Sequence, residues 1–100
     1  MNISQNLLGT TVEFLLSGKF TFSDHDSFRT IIEKIKDSNT KSVIIDFSGV
    51  DFIDSAALGM LLIAREEGDK YAVQISLRGA QGQIEKMFKV SKFDSLFTLI

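Results

Sequence analysis

The sequence predicts an α/β domain, a mixed β-sheet with helices packed mainly on one face, in the order β-β-α-β-α-β-α-β. Three observations lead there. Runs with a strand period alternate with runs of helix period along the chain. The first two strand-like runs meet at Gly9-Thr10, a two-residue turn signal that makes them antiparallel, whereas strands separated by helices must be parallel. Two strands carry one polar face, which leaves one side of the sheet without helices. The 100 residues hold no proline, no linker and no internal repeat, so residues 1–100 read as a single domain.

The opening hairpin pairs "NLL" with "TVEFLLS", glycine at the first central position suiting a type II′ turn. Val12, Phe14 and Leu16 share one face of the second strand; Thr11, Glu13 and Ser17 share the other, Leu15 breaks the alternation, and Gly18 marks the exit. Ser23 with Asp26 resembles a capping box. Phe28, Ile31, Ile32 and Ile35 then follow the i, i+3, i+4, i+7 spacing of a helix with one buried stripe. "SVIIDFS" is a nearly continuous apolar run, as expected of a strand covered on both faces, and "VDFI" leads from it to Ser55. The next helix is expected to bury Leu58, Leu61, Leu62 and Arg65 and to stop at Gly68. Val73, Ile75 and Leu77 form the inner face of a further strand. A helix over "AQGQIEKMFKV" presents Ile84, Met87 and Phe88 on one face, and "SKFDSLFTLI" supplies a turn and a closing strand.

Composition narrows the function classes. With 44% apolar residues the chain can build a core, and a domain of this size buries roughly 65% of its unfolded surface. The formal net charge is −2 and the basic residues are scattered, without the stripe of a nucleic-acid reader. Absence of cysteine removes disulfides and thiolate metal sites. No signal peptide or membrane-length apolar run is visible, which points to a cytoplasmic protein that needs no cofactor. Enzyme chemistry lacks parts. The one histidine, His25, reads as a solvated side chain, Ser55 has no G-x-S-x-G elbow, and "RGAQGQ" has the wrong glycine spacing for a dinucleotide. Asp46, Asp51 and Asp54 read as carboxylates at strand ends rather than as a Mg²⁺ site.

Ser55 is the position that invites a function. Placed at the start of a helix, its hydroxyl is expected to accept a backbone N–H bond as an N-cap, worth about 1 kcal/mol. The same place suits a phosphate, because the free N–H groups and the helix dipole favour an anion. A phosphoserine adds about −1.5 to −2 charges, here beside Asp54 and Asp51.

The stretch "SVIIDFSGVDFIDSAALGMLL" resembles the signature of STAS domains, in particular bacterial anti-anti-sigma factors (anti-sigma factor antagonists), in which an apolar strand ending in Asp leads through a short loop to a D-S-x-x-L-G helix start. The likeness extends over roughly residues 11 to 100, including "LLSGKF" and "IEKMFKVSKFDSLFTL". It implies a STAS-like fold and a protein-binding switch rather than an enzyme. The unphosphorylated form would bind an anti-sigma factor, itself a serine kinase of the histidine-kinase-like ATPase fold, and so release a sigma factor. Phosphorylation of Ser55 would abolish binding and a PP2C-type phosphatase would restore it. By the same resemblance Asp46 and Asp54 would belong to the phospho-acceptor loop, and Thr21, Ala56, Ala57, Leu58, Gly59 and Met60 would supply partner contacts. It implies a monomer when free, and the composition adds the expectation of no cofactor, no metal, no nucleic acid and no membrane.

The chain departs from the family pattern at Ala56 and Ala57, where many members have Ser or Thr followed by Gly. It departs again at Thr21, where many have Asp, and no counterpart of the family's C-terminal helix follows the last strand. The alternative reading is a STAS interaction module for another output, such as a diguanylate cyclase or a transport or sensory complex, without a Ser55 switch.

Overall fold

Strand order in space repeats strand order in sequence. The computed structural model describes residues 1–100 and contains β1 (Asn2–Leu8), β2 (Thr11–Phe20), α1 (His25–Ile35), β3 (Ser42–Ile53), α2 (Ser55–Tyr71), β4 (Gln74–Arg78), α3 (Gly82–Val90) and β5 (Thr98–Leu99), with 3₁₀ turns at Phe22–Asp24 and Phe93–Ser95. The sheet runs β1-β2-β3-β4-β5, with β1 antiparallel to β2 and every later pair parallel. Each crossover steps to the next strand in the same direction. Since such crossovers are right-handed, α1, α2 and α3 all fall on one face, as the sequence predicted.

The hairpin turn is the expected one: Leu8 pairs with Thr11 across Gly9-Thr10, and Gly9 takes φ +66°, which only glycine adopts freely. β1 is longer than "NLL" suggested and pairs along its whole length. β2 does not exit at Gly18 but continues to Phe20, Gly18 adopting φ +87° inside the strand.

β3 departs furthest from expectation. The segment "VDFI" is strand, not loop, and β3 reaches Ile53 over 12 residues. Its register against β2 shifts twice, between the pairs Leu15–Asp46 and Ser17–Gly49 and between Gly18–Val50 and Lys19–Phe52. Each shift inserts one extra residue into β3, as a bulge does. Buried apolar positions therefore run Val43, Ile45, Phe47, Val50, Ile53, with spacings of two and then three. That broken period disguised the second half as a loop. Nor is the strand covered on both faces: Ser42 and Ile44, on the side without helices, are partly exposed.

The core lies between sheet and helices and includes a file of phenylalanines. Phe28 on α1 stacks on Phe20 (centroids 5.5 Å apart), and Phe20 approaches Phe47 at 6.5 Å. Phe47 meets Phe88 edge-on at 5.2 Å, and Phe93 and Phe97 continue the row. Each such ring removed from water contributes about 1.5–3 kcal/mol.

α2 buries Ala57, Met60, Leu61, Ala64 and Gly68, whereas Leu62 is exposed and Leu58 only partly covered. The stripe expected through Leu58, Leu62 and Arg65 is thus rotated. At Gly68 the helix rides close to its neighbours: a Cβ there would stand 2.8 Å from both Ile75 Cδ1 and the Val73 carbonyl oxygen. Gly68 consequently sits within the helix, which ends at Tyr71. Ala72 takes the left-handed conformation (φ 57°, ψ 41°), and the Val73 N–H returns to the Gly68 carbonyl at 2.8 Å.

Candidate functional site

The parallel strands β2 and β3 deliver their C-terminal ends side by side, Phe20 opposite Ile53, and from there the chain enters the Phe22–Asp24 turn and α2. Two local devices shape this end of the sheet. Where Ser23 and Asp26 were expected to form a capping box, the carboxylate of Asp24 instead accepts the Thr21 N–H (2.8 Å) and contacts the N-terminal ammonium of Met1 (3.1 Å). Burial raises the Asp24 pKa, but these two partners outweigh it and hold the group below its ordinary value. The chain has tightened by one 3₁₀ turn before α1 begins, which moved the cap two residues upstream.

The second device corrects the reading of Ser55. The N-cap of α2 is Asp54, in extended conformation, whose Oδ1 accepts the Ala57 N–H at 2.8 Å. Its Oδ2 accepts the N–H of Phe22 at 3.1 Å, so one carboxylate ties the helix start to the turn after β2. Ser55 is the first helical residue, exposed, with its hydroxyl outside the cap. The backbone N–H groups of Ser55 and Ala56 have no intrahelical partner, as at any helix start.

The residues marked as partner-binding do not all reach the surface. Thr21, Ala56, Leu58 and Gly59 are partly exposed around Ser55. Ala57 is fully buried and Met60 nearly so, because they lie on the inward stripe of α2; they support the surface from beneath. Two exposed aromatic side chains that the sequence reading passed over lie at this end of the sheet. Phe22 is 65% exposed and stacks on the His25 ring at 5.4 Å, and Phe52 is 49% exposed. Phe22 falls outside the buried period of α1, a signal that was present in the sequence. Phe52 was hidden by the bulges of β3.

Asp46 belongs elsewhere. It lies in β3 on the face without helices, on the order of 20 Å along the strand from α2, and is 7% exposed. Its Oδ1 accepts the Ser48 N–H and its Oδ2 accepts Arg78 Nε, both at 2.7 Å. Arg78 then reaches across β3 to Glu13 on β2, Nη2 to Oε2 2.7 Å, and Asn6 Nδ2 donates to the other Glu13 oxygen at 3.0 Å. Burial pushes the Asp46 pKa up, and the Ser48 N–H and Arg78 together overcome it, leaving the group below its ordinary value. Hydrogen bonds from Asn6 and Arg78 lower Glu13 as well. This network clamps β1, β2, β3 and β4 across the open face.

No three His, Cys, Asp or Glu side chains gather as metal ligands, and Asp51 and Asp54 stand apart from Asp46. No helix is long and apolar enough to cross a membrane. An exposed serine thus follows a capping aspartate, which also holds the N–H of the exposed Phe22.

The chain belongs to the STAS domain family, whose model matches residues 4–100. It is 30% identical over 91 residues to the STAS-domain containing protein PA14_20770 of Pseudomonas aeruginosa strain UCBPP-PA14, covering 91% of this chain and 89% of that one. The fold is shared with the unphosphorylated anti-sigma factor antagonist SpoIIAA of Bacillus (TM-score 0.78, 19% identity, 99% of this chain and 87% of that one). It is shared too with an anti-sigma-factor antagonist (STAS) domain protein from Planctomyces limnophilus (TM-score 0.84, 13% identity, 97% and 87%).

Proposed function

We propose that this protein is a phosphorylation-controlled anti-sigma factor antagonist. In its unphosphorylated form it binds an anti-sigma factor of the histidine-kinase-like ATPase fold through Ser55, Thr21, Ala56, Leu58 and Gly59, with Phe22 as a flanking apolar anchor. A serine kinase, the anti-sigma factor itself or a relative, phosphorylates Ser55, and a PP2C-type phosphatase reverses the change. The protein is substrate and ligand, acting in the cytoplasm without cofactor.

One observation carries this reading: the cap of α2 belongs to Asp54, so Ser55 is exposed and free of a structural duty at the helix start. A phosphate there would meet the free N–H groups of the first turn, which tolerate an anion, so the fold survives. It would also set about −1.5 to −2 charges beside Asp54 and in the middle of an apolar contact. Burying that group against a partner is costly, and the partner is released.

The test is capture from a lysate of the source organism on wild type, Ser55→Ala and Ser55→Asp, with mass spectrometry of the captured proteins and of the Ser55 peptide. Wild type and Ser55→Ala are expected to retain a kinase-fold anti-sigma protein that Ser55→Asp loses, and Ser55 phosphate is expected in the cellular protein. Equal capture by all three, with no phosphate at Ser55, would reject the switch and leave a constitutive interaction module.

A further inference from the structure

We propose that the free edge of β1 is a self-association surface, on which a second copy of this chain docks its own β1 antiparallel to form one continuous sheet. Edge strands are ordinarily protected by charge, proline, bulges, shortness or a covering element. β1 has none of the first four: "NISQNLL" carries no charged side chain and no proline, spans seven residues, and pairs with β2 without a register shift. The opposite edge, β5, is only two residues long. Leu7 and Leu8 are 66% and 56% exposed.

The register singles out a second copy as the occupant. The two-residue turn makes Leu8–Thr11 a hydrogen-bonded pair, and the antiparallel alternation then turns the N–H and C=O of Leu8, Asn6, Ser4 and Asn2 toward β2. Ile3, Gln5 and Leu7 present theirs to the free edge. A two-fold axis at Gln5 places Gln5 opposite its own copy and Ile3 opposite the partner's Leu7. All three outward-facing residues then fall in bonded pairs, about six backbone hydrogen bonds in total. The side chains agree with this register. Ile3, Gln5 and Leu7 sit opposite Leu16, Phe14 and Val12 on the helix-bearing face, so the axis brings Ile3 against a leucine and amide against amide. A groove of about 280 Å³ between β1 and α1, lined by Ile3, Gln5 and Phe14 among others, lies where the incoming leucine would rest. The pairing departs from the monomer that family resemblance implies.

Sedimentation equilibrium from about 10 µM to about 1 mM tests the surface, since strand pairing of this size falls in the weak range. The wild type is expected to rise toward twice the 11.1 kDa of the chain. Gln5→Pro removes an outward N–H without touching the β1–β2 ladder, and Leu7→Lys places charge at the contact. Each is expected to weaken association by at least about 10-fold while leaving the far-UV circular dichroism unchanged. A wild type that stays monomeric throughout overturns the proposal. So does a dimer that both folded variants retain, since its interface would then lie elsewhere.

Discussion

The carboxylate of Asp54 accepts the backbone N–H of Phe22 at 3.1 Å while its other oxygen caps α2 through Ala57, so one side chain joins the end of β2 to the start of α2. The residue before the exposed serine is therefore the structural one. A change at Asp54 disturbs the surface on both sides of Ser55, while a change at Ser55 alters the surface and leaves its frame in place.

This division of roles separates two substitutions in urea unfolding. Asp54→Ala is expected to lose about 0.5–2 kcal/mol, the range of a deleted N-cap. Ser55→Ala is expected to stay within about 0.5 kcal/mol of wild type, as exposed positions do. The opposite order would return the cap to Ser55.

The Glu13–Arg78–Asp46 network makes stability depend on acid. Both carboxylates have folded-state pKa values below their unfolded ones, so their contribution is complete above the unfolded values, roughly pH 4 to 4.5. It is lost as pH falls through the folded values. Arg78→Ala removes a cause of both shifts and is expected to move the acid-unfolding midpoint to higher pH, followed by circular dichroism. The pair is partly solvated, so the displacement is modest and shrinks in salt. An unchanged midpoint would mean that the network adds nothing measurable.

Two glycines of α2 are expected to respond to alanine with opposite signs. At Gly59 an added Cβ meets nothing within 4 Å, so Gly59→Ala gains helix propensity, up to about 1 kcal/mol. At Gly68 the same methyl collides with Ile75 and the Val73 carbonyl; the overpacking, typically about 1–3 kcal/mol, exceeds the propensity gain. If Gly59 lies under the proposed partner, Gly59→Ala also weakens capture of the anti-sigma protein while raising the unfolding midpoint. Unchanged capture would remove Gly59 from the contact.

Ala72 is held at φ 57°, a conformation that costs a non-glycine residue roughly 1–2 kcal/mol. Ala72→Gly relieves that strain, against the larger entropy of glycine in the unfolded chain. A net gain of about 0.5–1 kcal/mol is expected in thermal unfolding, and a loss would show that the strain is absorbed elsewhere.

Periodicity, with the Gly9-Thr10 turn signal, was enough for element order, sheet direction and the inward faces of β2, α1 and β4, because the buried residues of those segments keep one period. Val12, Phe14 and Leu16, like Phe28, Ile31 and Ile35, needed no tertiary information to be placed inside. The D-S motif, read by resemblance, likewise marked the end of the sheet where β2 and β3 finish side by side at Phe20 and Ile53. Three matters were settled only in the folded chain. The bulges of β3 arise from fitting its longer path against β2, and they changed the spacing of buried residues from two to three. The inward face of α2, through Ala57, Met60, Leu61, Ala64 and Gly68, was set by how the helix lies on the sheet, where only Gly68 fits its close approach to Val73 and Ile75. The cap is Asp54, and its second oxygen holds the Phe22 N–H, 32 residues away in sequence, a partner that no local pattern contains.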